Sequence, residues 1–280
     1  MRTISQVELS AALTEIDAKA RSENVNIPAR PLYALSELST RFQMAVGVPS
    51  KLADSVFSWF DRLYGDRLQM GLTLGTTAVL LGGDIYKLRL PLMYGTSAYA
   101  LDEGPLTRQI VLGGRSISLS NIVQYVDQLT PARVGVMTMA ERNNVVSRFA
   151  CAMVAGSDLD SVKYPDFVSE AKADLVTSVE HLLTRPAQYG LSRWSSLQSV
   201  EKLLKAFIQE GGGQPERIHV LTDLAQAAEK LGLSVVNRTA LSLVQCSAGV
   251  RYGSDPSTLL QAIEAHHNAN RYLWCRCRAV

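Results

Sequence analysis

The chain has 280 residues, of which 47% are hydrophobic and 19% charged. That is enough apolar material for packed cores, which excludes wholesale disorder, and the length favours two domains over one. Lys and Arg number 28 against 26 Asp and Glu, a formal charge of +2, so composition demands neither a nucleic acid nor an anionic membrane as partner. The four cysteines, Cys151, Cys246, Cys275 and Cys277, are too few for a disulfide scaffold. The N-terminus lacks the apolar stretch of a signal peptide. The longest uncharged run, 68–83, is too short and too broken by Gly and Thr to span a membrane. These features predict a cytoplasmic protein.

The chain opens with helical signals. Ser5 and Glu8 have the spacing of a capping box, and Leu9, Leu13 and Ile16 recur at helical intervals. Residues 26–31 read as a turn because they hold two prolines. Leu32, Leu35, Leu38, Phe42 and Val46 predict a second helix stopped by Gly47. Pro49 and Ser50 open a third, with Leu52, Val56, Trp59, Phe60 and Leu63 inward and Gly65 after it.

The period then changes from helical to alternating. Residues 76–90 predict a hairpin turned at Gly82-Gly83, with Tyr86, Leu88 and Leu90 on one face and Lys87 and Arg89 on the other. Pro91 is expected to end the strand. The phrase echoes at 110–119, where Gly113-Gly114 separates Ile110, Val111 and Leu112 from Ile117 and Leu119. A small sheet of three or four strands follows from this. Ile122, Val126 and Leu129 then form a helical stripe. Thr138 and Glu141 make a second capping box, leading a helix with Val145, Phe149 and Met153 inward and Gly156 at its end. The polar stretch 156–165 is the expected domain boundary.

The remainder reads as five amphipathic helices joined by short loops, the pattern of a bundle. The first covers 166–184, with Val168, Ala171, Leu175, Val179 and Leu182 on one face. After a loop at 186–194, the second covers 195–210, with Leu197, Val200, Leu204 and Phe207 inward and Glu201 and Lys205 as an i,i+4 ion pair. The third carries Leu221, Leu224, Ala228 and Leu231. Leu241, Val244 and Ala248 mark the fourth. The fifth is capped by Asp255-Pro256 and carries Leu259, Ile263 and Leu273.

The stretch Ser195-Ser196-Leu197-Gln198-Ser199-Val200-Glu201-Lys202-Leu203-Leu204-Lys205-Ala206 resembles the second helix of HEPN domains, named for higher eukaryotes and prokaryotes nucleotide binding. His219 and Leu224 match a His-x4-Leu opening of the third helix in that family, and Arg251-Tyr252 matches an Arg-Tyr pair ending the fourth. The resemblance covers about 165–275; residues 1–160 resemble no family identified by their motifs. It implies a helical fold, frequent homodimers, and roles that range from metal-independent ribonucleases of toxin and antiviral systems to nucleotide-binding or regulatory modules.

The ribonuclease role in that family rests on an Arg-x4-6-His motif, in which the histidine moves protons and the arginine stabilises phosphate charge. The positions five to seven before each of His181, His219, His266 and His267 hold no arginine, so the motif is absent. The resemblance then implies binding rather than cleavage, with Lys202, Lys205, His219, Arg251 and Tyr252 as candidate ligand-binding residues. Their structural alternative is solvated lysines, a histidine that positions the third helix, and an Arg-Tyr lock on the fourth.

Other constellations are weaker. His266 and His267 are neighbours on a helix and point about 100° apart, which suits one metal poorly, and a lone Cys275-x-Cys277 adds little to it. Gly82-Gly83 and Gly113-Gly114 lack any phosphate-loop pattern. Asp102, Glu103, Asp158 and Asp160 read as loop acids rather than an acid–base pair. Arg271, Tyr272, Trp274, Arg276 and Arg278 read as a mildly basic, aromatic tail.

The sequence therefore predicts an α+β protein. Residues 1–160 form a mixed domain with a small antiparallel sheet, and residues 161–280 a HEPN-like all-α bundle. The expected function is a non-catalytic binding or regulatory module, homodimeric, with a nucleotide or RNA ligand, no membrane partner, no metal and no cofactor. The alternative is a divergent HEPN ribonuclease of a toxin or antiviral defence system.

Overall fold

Hydrogen-bonding side chains start most of the helices. Ser5, Ser50, Thr130 and Asn237 each accept a bond from the backbone amide three residues on, which satisfies a donor that the first turn leaves open. Thr138 and Glu141 do so reciprocally: the Glu141 amide donates to Thr138 Oγ1 at 3.2 Å and the Thr138 amide to Glu141 Oε2 at 2.8 Å. Those bonds hold the Glu141 carboxyl below its ordinary range.

The computed structural model describes residues 4–68, 73–159 and 165–275. In chain order the elements are α1 (Gln6–Ser22), α2 (Arg30–Phe42), β1 (Val46–Val48), α3 (Lys51–Tyr64), β2 (Thr73–Leu81), β3 (Asp84–Tyr94), β4 (Ser97–Ala100), β5 (Thr107–Leu112), β6 (Arg115–Asn121), α4 (Pro131–Gly135), α5 (Met139–Leu159), α6 (Pro165–Leu183), α7 (Tyr189–Glu210), α8 (Leu221–Lys230), α9 (Arg238–Val244), α10 (Gly249–Tyr252) and α11 (Leu259–Cys275). The α+β class is as the sequence predicts. Among the described residues two three-stranded sheets are present, ordered β1-β3-β2 and β4-β6-β5. β5 and β6 form an antiparallel hairpin, whereas β4 runs parallel to β6. Both predicted glycine turns adopt the positive φ that favours glycine, 60° and 92° at Gly82 and Gly83 and 56° and 76° at Gly113 and Gly114.

Backbone contacts divide the chain into two units that a single cut near 160 does not describe. The first is Met1–Thr73 with Pro91–Ala100 and Gly104–Asn121; the second is Leu74–Leu90 with Leu101–Glu103 and Ile122–Val280. The hairpin that the sequence grouped with the N-terminal half is thus part of the helical unit. The predicted boundary falls partly on 160–164, outside the described residues.

In the first unit α1, α2 and α3 bury Leu13, Leu35, Leu38, Val56 and Phe60 completely. Beside this core lies a buried carboxylate. Asp17 is 1% exposed and accepts from Tyr64 Oη at 2.8 Å, from Arg30 at 3.5 Å, and from Arg21. In the second unit α6, α7, α8, α9 and α11 share a core that includes Leu197, Leu204, Leu221, Leu224 and Leu241. A smaller cluster joins Ala78 of β2 to Val179, Leu182, Ala262 and Ile263.

Several boundaries differ from those predicted. α2 stops at Phe42 because Gln43 takes a left-handed φ of 49°, and Val46 lies in β1, paired with Tyr94. Pro91 does not end β3; it sits one residue before the positions that β1 pairs, where no β1 carbonyl needs its missing amide. Residues 122–125 form a 3-10 turn rather than part of a helical stripe, and Val126 bridges Leu88. Gly156 is internal to α5, where an added Cβ would stand 3.1 Å from Leu74 Cβ, so it serves close packing and not termination. α7 begins at Tyr189, inside the predicted loop. The fourth predicted helix is two, α9 and α10, and exposed Ala248 belongs to neither. Thr258 and Gln261, not Asp255-Pro256, make the cap of α11 by reciprocal bonds of 2.9 and 3.3 Å.

The Asp17 cluster yields a stability contrast. Asp17→Ala leaves Arg30 and Tyr64 without their buried acceptor and is expected to destabilise the protein by about 3 kcal/mol. Arg21 is an exposed partner, and Arg21→Ala is expected to cost clearly less than Asp17→Ala. Urea denaturation of the two variants measures the difference.

Candidate functional site

Glu201 is the unusual residue of α7. It falls four residues after Leu197 and three before Leu204, both buried, and so lies on the apolar face, where it is 7% exposed. A buried carboxylate needs partners, and two supply them. Lys205 Nζ donates to Glu201 Oε1 at 2.7 Å, and His219 Nδ1 stands 2.7 Å from Glu201 Oε2. His219 is itself 60% exposed by side chain, and its ring centre lies 5.7 Å from that of Trp194. Among the described residues Nε2 of His219 and the buried Nε1 of Trp194 have no hydrogen-bond partner. A carboxylate that fixes one imidazole nitrogen and leaves the other open sets the tautomer and aim of the ring.

The candidate residues therefore fall into three places. Lys205 and His219 meet at Glu201. Lys202 turns toward α6, with Nζ 2.8 Å from Asp174 and 3.0 Å from Glu170. Burial opposes the Lys202 charge, but hydrogen bonds and charges from Asp174 and Glu170 overcome it and raise its pKa. Burial likewise raises the Asp174 carboxyl, with Lys202 acting against it. Arg251 lies over the ring of Tyr252 at 5.6 Å, and Tyr252 is 76% exposed. Among the described residues no bond joins that pair to His219, Lys202 or Lys205.

His219 does not cap the helix it precedes. Gln245 does: its Oε1 accepts from the Leu221 amide at 2.8 Å while its Nε2 donates to the His219 carbonyl at 3.2 Å. Sequence reasoning missed the parts played by Glu201, Trp194 and Gln245. Glu201 carried a readable signal, a charge on an apolar stripe, but only its ion pair with Lys205 was legible. Trp194 was hidden by the late predicted start of α7. Gln245 carried no signal, because its role depends on a contact 24 residues away in sequence.

His266 and His267 prove to be structural. Both are buried, at 0% and 9% exposure. Neighbours on a helix diverge, yet both reach strand β2. His267 Nε2 donates to the Ala78 carbonyl at 2.8 Å. His266 Nε2 accepts from Asn270 Nδ2 at 3.0 Å and lies 3.0 Å from Thr77 Oγ1, so Nδ1 carries the proton toward Ser178 Oγ, 3.2 Å away. Ser178 continues to Ser196 at 2.8 Å and Ser192 at 3.0 Å, both on α7. Three of the four ring nitrogens are thereby bonded within the protein. Among the described residues no group of three or more His, Cys, Asp or Glu is placed to hold one. Cys277, Arg276 and Arg278, and the side chains of Arg271, Tyr272, Trp274 and Cys275, lie outside the described residues. Cys246 is a half-buried thiol whose pKa burial pushes up to about 11, which suits packing rather than nucleophilic attack.

Burial, the neighbouring histidine and Arg148 push His266 down to about 3; burial and Arg148 push His267 down to about 4. A histidine with a depressed folded pKa binds fewer protons than its unfolded form. Its stability contribution is therefore complete above about pH 6.5 and is lost as pH falls toward the folded value. Between pH 7 and pH 5 the loss is expected to be on the order of 2 kcal/mol per histidine. His267→Gln keeps a donor for Ala78 but cannot titrate, so denaturation of this variant at pH 7, 6 and 5 is expected to show a shallower pH dependence than the parent.

No helix among the described residues is long and apolar enough to cross a membrane. Comparison with known proteins finds no significant match among curated proteins and none among solved structures. A family model described as HEPN domain matches residues 164–276, the span from α6 to α11 that contains Glu201, His219 and the buried histidine pair. The C-terminal part of this chain carries a HEPN domain.

Proposed function

We propose that the HEPN part is a non-catalytic binding or regulatory module that acts as a homodimer and takes a nucleotide or RNA ligand through the surface around His219. One observation carries this reading. His219 stands exposed on a fixed carboxylate and is backed by the buried indole of Trp194, so the surface offers the open Nε2 as a hydrogen-bonding group and the held imidazole ring as a stacking face for a base. The bonded partners of His219 are Glu201 and Gln245, and Arg251 is stacked on Tyr252. Among the described residues no arginine is hydrogen-bonded to His219. Lys202 and Lys205 are neutralised by Asp174, Glu170 and Glu201, which leaves base contacts rather than phosphate attraction as the source of affinity.

The Glu201–His219 couple favours a second reading, a divergent ribonuclease, because a carboxylate-oriented imidazole can move protons. Labelled single-stranded RNA and a mononucleotide, each titrated with the full chain by fluorescence anisotropy, separate the two. Binding without shortening of the RNA on a gel is expected, with His219→Ala and Trp194→Leu each weakening affinity about tenfold, or ~1.4 kcal/mol. A low salt dependence is expected as well, since few phosphates are neutralised. RNA cleavage that His219→Ala abolishes would replace the binding reading with the enzymatic one.

A further inference from the structure

The first unit holds a cleft that the HEPN reading does not use. It has a volume of about 1000 Å³ and lies between the end of α2, the turn after β3 and strands β5 and β6. Its floor is fixed by backbone. Gln43 sits at φ 49° and Gly95 at φ 83°. A Cβ on Gly95 would come within 2.6 Å of Ser39 Oγ and 3.0 Å of the Met44 carbonyl, which are themselves hydrogen-bonded at 2.7 Å. Ser116 donates to Gln109 Oε1 at 3.2 Å, which holds part of the opposite wall.

The lining has three chemical properties. It contains no Asp or Glu, and its one basic side chain, Arg115, has no carboxylate partner among the described residues. Ser36, Gln43, Thr96 and Ser118 face it with side-chain polar groups that are likewise unbonded to other described residues. Phe42 supplies an apolar wall. A guanidinium free of any carboxylate binds a phosphate or carboxylate in a forked geometry. Several unspent hydroxyl and amide groups, each able to donate and accept, match a ligand with several hydroxyls. An aromatic wall suits the C–H face of a sugar ring. The volume is that of a small-molecule site.

We propose that this cleft binds a small phosphorylated sugar, its phosphate on Arg115 and its hydroxyls on Ser36, Gln43, Thr96 and Ser118. Isothermal titration of the full chain with ribose 5-phosphate, glucose 6-phosphate, glucose and inorganic phosphate tests it. Saturable binding of at least one sugar phosphate is expected, with glucose and inorganic phosphate each at least tenfold weaker. Arg115 is exposed at the start of β6, so Arg115→Gln is expected to keep the parent melting temperature and lose at least tenfold in affinity; Ser118→Ala is expected to lose about threefold. Absence of saturable binding by both sugar phosphates, equal binding of inorganic phosphate, or unchanged affinity in Arg115→Gln would each overturn the proposal. RNA anisotropy with Arg115→Gln is expected to match the parent, so failure here and failure of the HEPN reading are separately visible.

Discussion

The helical unit depends on how two desolvated imidazoles are satisfied. A buried polar group without a partner costs as much as a lost core contact. His266, His267 and Asn270 put three such groups on one stretch of α11. Their partners come from β2 through Thr77 and Ala78, from α6 through Ser178, and from α7 through Ser192 and Ser196. Each partner is small, which allows the elements to approach closely. The network therefore specifies which elements pack together, a task that interchangeable Leu and Val contacts perform less selectively.

The same accounting shapes the surface around His219. Glu201 could face inward only with cations at hand, and Lys205 and His219 are those cations or donors. Their engagement removes them from any role as free phosphate hooks. It also gives His219 a rigidity that a solvated histidine lacks. Trp194 keeps its ring beside this imidazole because α7 starts early enough to include it. The surface that results presents shape and hydrogen-bonding groups more than net charge, in a chain whose acidic and basic residues nearly balance.

Much of the fold was legible because local signals agreed with the final structure. The Ser5 cap on Glu8, the Thr138–Glu141 capping box, glycine pairs at two hairpins, and apolar periods in α1, α3, α6 and α8 reappear, although Leu63 and Leu231, predicted on the stripes, are exposed. Several misreadings share a cause, a contact distant in sequence. Val46 has a helical offset from Phe42 but a strand partner in Tyr94. Gly156 looks like a terminator and instead admits Leu74. His266 and His267 were read only as poor metal ligands on angular grounds, and their bonded partners on β2 lie 189 positions away at Thr77 and Ala78. For the candidate site, the phrase that resembles the family lies on the helix that carries Glu201, but which lysine meets which acid depends on packing.

One consequence concerns where this protein can be divided. Likeness to the family begins at 164, whereas the physical unit that contains it also includes the hairpin at 74–90. A fragment cut at the edge of the likeness would leave His267 without the Ala78 carbonyl and His266 without Thr77, baring two imidazoles to water on a helix built to hide them. Kinship and autonomy thus have different borders in this chain, and the stretch that looks like a borrowed module is finished by a ribbon from outside it.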